Sequence, residues 1–557
     1  MTVKRQTMTA AEAIVKVFKK EGIKHVFCVP GESYLPVLDA LHDESTIQVI
    51  STRHEGGAAF MAEGYAKSTL KPGVVLATRG VGAANLSIGV HTAYQDSTPM
   101  IVLLGQVHSK FRGREGFQEV DLDQFFDPIA KWAVEVRDPE RMPEIMERAI
   151  RVSQSGRPGP VVISLPEDVL PVKKEMTFRG SCIKPKPAPA NEEVLRVEKL
   201  LKQAKRPLVI AGGGVKNSKA EAAIITFAEK YQFPVLVAFR RHDAFPHNHP
   251  LFVGHLGLGK SDYIDEMIEE ADTILALGTR LSEVTTKDYT LLKDHHTLIH
   301  VDINDETLGK VYSPDIGIVA DISQALHAFS SLSITPIWQE WVFQKRSVYE
   351  KASKLKLTKT DVINKQVIAT LQEKLPENAL LTNDAGNFVS WLHDFFKFMK
   401  PHTYVGPTSG AMGYGLPAAI GAKLAFPDKT VVTLAGDGGF MMTANELETA
   451  VRYHIPVIAL VFNNNMYGTI RMHQEMHYPE KVIATDLGVV SFKNLAESVG
   501  AKGYSVKTID EFNVAFTEAL AGDCVSVIEI ITEKEQISVN ATIEEIRQKA
   551  KNRLNSE

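Results

Sequence analysis

The stretch from Thr430 to Tyr467, TVVTLAGDGGFMMTANELETAVRYHIPVIALVFNNNMY, constrains the fold more than any other. Thr430 to Leu434 is a short apolar run rich in β-branched residues, and it stops at Gly436-Asp437-Gly438-Gly439. Such a run reads as a buried strand. Ile455 to Phe462 is a second one, stopped by Asn463-Asn464-Asn465. Between them, Thr443 to Tyr453 has helical spacing, with Thr443 and Glu446 in the positions of a capping box. Strand, helix and strand make a βαβ unit. Its right-handed crossover puts both strand ends on one edge of a parallel sheet.

Asp437 follows the first strand and Asn464 the second, so the topology lets them converge. A carboxylate, an amide oxygen and a nearby backbone carbonyl are hard oxygen ligands, which suit Mg²⁺ alongside phosphate oxygens. Glycines at a helix entrance expose backbone N–H groups to a diphosphate. The stretch therefore reads as a Mg²⁺-diphosphate anchor. It resembles the GDG…NN signature of thiamine diphosphate enzymes. That resemblance implies a metal held by Asp437, Asn464 and the backbone oxygen of Met466. Gly436, Gly438, Gly439, Tyr467 and Gly468 then surround the cofactor.

A chain of 557 residues is long enough for several domains. Alternating strand and helix patterns predict an α/β fold: three doubly wound, mostly parallel-sheet domains, with site loops at the strand C-termini. The boundaries expected are 1–180, 190–332 and 358–535, with a helical tail at 536–557. Lys184 to Pro189 (KPKPAP) is an extended linker between the first two. The tail either closes over the site or is plain surface. The first and third domains are of similar type, which fits a duplication. With 23% charged residues and a net charge of −5, nothing suggests nucleic acid as a partner. Cys28, Cys182 and Cys524 lack metal-ligand spacing. No apolar run has membrane-spanning length, so the expectation is a cytoplasmic protein.

The other strand ends supply further candidates. Arg53-His54-Glu55-Gly56-Gly57 lies at a strand-to-helix junction and resembles the family's glutamate motif. Glu55 is then the carboxyl that bonds the cofactor's pyrimidine ring and promotes proton transfer from the thiazolium carbon. Gly31, Asn85, Gly386 and Asn387 occupy equivalent loops as cofactor-binding candidates. In Gly410-Ala411-Met412-Gly413, the resemblance makes Met412 the wedge between the two cofactor rings and the Gly410 carbonyl the acceptor of the amino proton. Phe117-Gln118-Glu119 resembles the acetohydroxyacid synthase pattern, in which Gln118 borders the reacting carbons. In the middle domain Gly212, Gly213 and Gly214, with Arg280 and Asp302 at other strand ends, are nucleotide-site candidates. Relatives hold FAD there, or ADP, or nothing.

The resemblance to the acetohydroxyacid (acetolactate) synthase branch covers nearly the whole chain. It implies a decarboxylating carboligase acting on a small 2-keto acid, most simply two pyruvates giving acetolactate and CO₂. The alternatives are a lyase or acyl-transferring enzyme with another donor or acceptor, and a cofactor-binding regulator without activity. Two departures bear on the acceptor. Synthases of the branch carry a GxRxxxR segment, and here Val284 stands at its second Arg. They also carry a Trp where this chain has His473. Arg471 nearby serves either a carboxylate or a surface ion pair. The resemblance further implies a homodimer or homotetramer whose sites lie between subunits, because Glu55 and Asp437 belong to different domains. It leaves a regulatory subunit open.

Overall fold

The structure, a computed structural model, describes residues 5–179, 184–259, 261–358 and 361–555; Cys182 lies outside them. In the first part of the chain the strands are β1 (Arg5–Thr9), β2 (His25–Cys28), β3 (Gln48–Ser51), β4 (Gly73–Thr78), β5 (Met100–Gln106), β6 (Trp132–Glu135), β7 (Pro160–Pro166) and β8 (Lys173–Thr177). β1 and β8 pair antiparallel as a separate ribbon. The other six form a parallel sheet in the order β3-β2-β4-β5-β7-β6. All seven residues of β5, MIVLLGQ, are buried. That is why these strands read as continuous apolar runs rather than alternating ones: helices cover both faces of a parallel sheet.

The middle strands are β9 (Pro207–Ala211), β10 (Val235–Val237), β11 (Phe252–His255), β12 (Thr273–Leu277), β13 (Thr297–Asp302) and β14 (Ile316–Val319), ordered β11-β10-β9-β12-β13-β14. The order reverses between β9 and β12, which opens a crevice at their carboxyl ends. The third group is β15 (Leu380–Asn383), β16 (Tyr404–Val405), β17 (Val431–Gly436), β18 (Ile458–Asn463), β19 (Lys502–Val506) and β20 (Ser526–Ile531), ordered β16-β15-β17-β18-β20-β19. Position for position this repeats the first sheet: second, first, third, fourth, sixth, fifth strand. The middle sheet is wound differently.

The first and third domains meet through the helices that follow their second strands, Glu55–Thr69 and Gly415–Ala425. A Cβ at Gly64 would stand 2.5 Å from the Ala418 carbonyl oxygen, and one at Gly421 would stand 2.1 Å from that of Met61. Only glycine lets the two backbones come this close.

One local expectation is corrected. The helix read from Thr443 begins at Glu446, and Thr443 does not cap it. The Thr443 hydroxyl donates to the Gly413 carbonyl at 2.7 Å. The Glu446 carboxylate instead accepts the backbone N–H groups of Arg53 and His54, at 3.2 and 3.0 Å. Bonds across the domain seam win over the local pattern. The tail forms the helix Ile543–Leu554 and docks on the helix Gly468–His477, with Arg547 2.7 Å from Glu475. Among the described residues no helix is long and apolar enough to cross a membrane.

Candidate active site

The carboxyl ends of β15, β17 and β18 open onto a cavity of about 410 Å³. All twelve third-domain candidates line it. Gly386 and Asn387 follow β15, Gly410 and Met412 come from the loop before the helix Gly415–Ala425, and Gly436 to Gly439 close β17. Asn464, Met466, Tyr467 and Gly468 follow β18. The strand ends do meet. Burial raises the Asp437 carboxyl to about 6, while N–H groups of Gly438, Asn465 and Met466 face it and pull the other way. The turn after β18 is tight: Asn465 has φ +53°, and the Met466 N–H donates to the Asn464 side-chain oxygen at 3.2 Å. Tyr467 packs so closely on Gly438 that a Cβ there would lie 2.5 Å from its ring.

This donor set fits a hard divalent cation. Asp437 is buried, and neither Lys nor Arg is among the groups that set its ionisation. Among the described residues no group of three or more His, Cys, Asp or Glu is assembled to hold a metal. One carboxylate with amide and carbonyl oxygens leaves coordination positions for phosphate and water, the arrangement Mg²⁺ favours.

Asp384, which the motif reading passed over, organises the neighbouring loops. It is buried, and burial raises its carboxyl to about 6 against the N–H groups of Gly415 and Tyr414. It accepts the Tyr414 N–H at 2.6 Å and the Gly415 N–H at 3.1 Å, pinning the loop that carries Met412. A Cβ at Gly439 would lie 2.6 Å from it, so the same carboxylate also abuts the Asp437 turn. The available signal was Asn383-Asp384-Ala385-Gly386-Asn387, a polar run directly after a buried strand.

The first-domain candidates form a second cluster. Glu55 opens its helix and is 9% exposed. The Asn85 amide donates to it at 2.9 Å, and Gly82 lies against its other oxygen. Gly31 packs on Thr78. Gln118 has φ +63°, and its carbonyl accepts the Gly80 N–H at 3.0 Å. All four sit at the carboxyl edge of the first sheet. None lines the Asp437 cavity, whose walls come from the middle and third domains and the start of the tail, Gln536 and Ile537. Within one chain the two clusters stay apart.

A separate cavity of about 550 Å³ lies at the strand-order reversal of the middle sheet. Gly213, Gly214, Arg280 and Asp302 line it, joined by Arg157 from the first domain. Gly212 does not; its backbone packs against Gly278. Burial lowers the Arg280 pKa to about 10 and raises that of Asp302. Arg471 proves to be engaged at the surface, with Asp486 at 2.7 Å and Thr485 at 2.8 Å. His473 stacks on His477 and lines neither cavity.

Comparison with known proteins accounts for all three sheets. The description "Thiamine pyrophosphate enzyme, N-terminal TPP binding domain" matches residues 8–125, the central domain of that enzyme class matches 194–329, and its C-terminal TPP binding domain matches 384–530. A probable acetolactate synthase large subunit of Methanocaldococcus jannaschii is 34% identical over 94% of this chain and 92% of its own length. The acetolactate synthase large subunit of Buchnera aphidicola is also 34% identical, over 92% of each chain. The isozyme 3 large subunit of Escherichia coli is 32% identical, again over 92% of each. With likeness along nearly the full length and three matching domains in the matching order, the chain belongs to the thiamine pyrophosphate enzyme family, beside the acetolactate synthase large subunits.

Proposed function

We propose that this thiamine diphosphate-dependent, acetolactate synthase-like enzyme condenses two molecules of a small 2-keto acid, pyruvate in the simplest case, with loss of one CO₂. The observation that carries the reading is the meeting of the β17 and β18 ends around a buried carboxyl that has no Lys or Arg ion pair among the described residues. Its chemistry fits Mg²⁺ with a diphosphate. When bound, thiamine diphosphate supplies a nucleophilic carbon and an electron sink for decarboxylation.

The chain's own residues have separable tasks. Asp437, the Asn464 side-chain oxygen and the Met466 carbonyl hold the metal. Met412 would pack against the bound cofactor, and the Gly410 carbonyl would accept a proton from its amino group. Glu55, steadied by Asn85, holds a proton at the pyrimidine ring. Gln118 borders the substrate. Two pyruvate anions become one acetolactate anion and CO₂, so one proton is taken up per turnover.

Because Glu55 and Asp437 lie in separate clusters, we assign the working site to a two-fold homodimer that brings Glu55 of one copy to Asp437 of another. Exposed apolar side chains flank both clusters: Val81, Ile88 and Phe117 near Glu55, and Met441 and Met442 next to the Asp437 turn. The middle cavity, lined by Asp302, Arg157 and Arg280, would suit a nucleotide, the acid for hydroxyls and the arginines for phosphate charge. FAD is the first occupant to test, by absorbance of the purified protein. We place the enzyme in the cytoplasm. Whether it works with a regulatory chain, as its relatives' designation "large subunit" suggests, is tested by pull-down.

The test of function is incubation with pyruvate, Mg²⁺ and thiamine diphosphate, followed by NMR. Acetolactate and CO₂ are expected. Acetaldehyde as sole product would make the enzyme a decarboxylase, and no CO₂ from any of a panel of 2-keto acids would overturn the reading.

A further inference from the structure

Two consecutive arginines follow β10, and they serve different cavities. Arg241 lines the middle cavity and lies 3.3 Å from Asp96. Arg240 lines the cavity of Asp437 and Met412. It is 4% exposed and holds φ +53°, a conformation that a residue with a Cβ adopts only under constraint. The neighbouring cations are matched by carboxylates: Lys67 by Glu63 and Asp96, Lys216 by Asp243, Arg241 by Asp96. Arg240 is not. Among the described residues its guanidinium bonds one group, the Pro407 carbonyl, through Nη1. Its buried Nε has no partner.

A guanidinium taken out of water without an ion-paired anion is unfavourable. Of the guanidinium fork, Nη1 is taken by Pro407 and Nε is enclosed, which leaves Nη2 to donate a charge-assisted hydrogen bond to a carboxylate. The same wall carries Phe239, Leu258 and Val284, an apolar lining for the rest of a small acid. Val284 is also where the related synthases place an arginine, so the cavity has lost one cation at that position and holds another at Arg240.

We propose that Arg240 is the carboxylate anchor of this cavity, binding the 2-keto acid through Nη2. This rests on the keto acid reading and adds to it the residue that selects for a charged substrate. The competing source of the anion is the cofactor diphosphate, and the experiment separates the two.

Oxamate, an inert isostere of pyruvate, is titrated by calorimetry into the protein loaded with Mg²⁺ and thiamine diphosphate. Pyruvamide is the uncharged control. R240Q should weaken oxamate binding by roughly 10²-fold, and R240K, which keeps charge without the fork, by roughly 10-fold. Pyruvamide and thiamine diphosphate affinities should stay within about twofold of wild type in both. R240K also stands in should R240Q fail to fold. Unchanged oxamate affinity in the variants, or no oxamate binding by wild type, would overturn the proposal. So would a parallel fall in thiamine diphosphate affinity, which would move Arg240 to the diphosphate. The binding readout does not depend on turnover. A wild type that holds oxamate through Arg240 yet releases no CO₂ from any 2-keto acid keeps the anchor and loses the reaction.

Discussion

In the first sheet the third strand, β4, hands over to Arg79, whose guanidinium is met by Glu32 at 3.1 Å and Glu167 at 2.9 Å. In the third sheet the strand in the same place, β17, hands over to Asp437, which has no such ion pair among the described residues. The second strands, β3 and β16, each lead to a helix, and those helices press on each other through Gly64 and Gly421. Two units with one strand order therefore share their winding and differ at the strand ends. A sheet core tolerates only apolar substitution, whereas a loop at its edge can change charge without disturbing the packing. One edge presents a carboxyl, Glu55, steadied by an amide; the other presents the buried Asp437 carboxyl among backbone N–H groups. In the proposed homodimer each would be half a site, which makes the difference between them the point to test.

Removing the cation ligand should have the largest effect. D437A is expected to abolish Mg²⁺-dependent binding of thiamine diphosphate, measured by calorimetry, because no other carboxylate replaces it in the cavity. The matching change in the first sheet, R79A, removes a neutralised cation and should leave cofactor binding intact. Equal losses in the two variants would erase the functional distinction between the edges.

The next effect is on rate. E55Q should still bind cofactor but slow its activation by roughly 10²–10⁴-fold, read as hydrogen–deuterium exchange at the thiazolium carbon. Mixing E55Q with D437A under subunit exchange sharpens the comparison. If the halves come from two copies, each heterodimer regains one intact site, and activity returns toward roughly a quarter of wild type at equal random mixing. A mixture that stays inactive despite demonstrated exchange would put both halves in one chain.

Much of this was legible in the sequence because parallel strands are buried on both faces and so announce themselves as apolar runs, and because a right-handed crossover dictates where their ends lie. Asp437 and Asn464 followed from that rule. Residues whose roles depend on distant contacts were not legible. Thr443 and Glu446 satisfy a local capping pattern, but Glu446 finds stronger partners in Arg53 and His54, far away in the chain. Arg240 and Arg241 share one basic dipeptide, and only the packing around them shows that Arg241 forms an ion pair with Asp96 while Arg240 bonds the Pro407 carbonyl. Arg471 was open between two uses, and its short contact with Asp486 decides for the ion pair.

The helix seam offers a third test, on stability. Leucine at Gly421 must displace the Met61 backbone, and leucine at Gly64 that of Ala418. Each should cost about 3 kcal/mol in urea unfolding, since backbone on both sides cannot yield. Similar losses in the two variants would support a reciprocal contact. A loss below about 1 kcal/mol in either would show that one helix can move away.

The smallest effect concerns Glu446, where the seam is asymmetric. Its side chain is fully buried, and burial raises its carboxyl from the ordinary 4.5 to about 7 in the folded protein. Thr449 and the N–H groups of Arg53 and His54 favour the ionised form and keep the shift from going further. Between those two values the folded protein binds more protons than the unfolded chain. Stability therefore falls with rising pH: the contribution of Glu446 is complete below 4.5 and is lost as pH passes 7. E446Q has no proton to gain or lose. The stability difference between wild type and E446Q, from urea midpoints at pH 5 and 7.5, should shift against wild type by on the order of 1–2 kcal/mol over that interval. Other titrating groups cancel in the difference. A difference that stays flat with pH would mean that Glu446 remains ionised throughout, and that the seam beside Glu55 is held by a permanent charge.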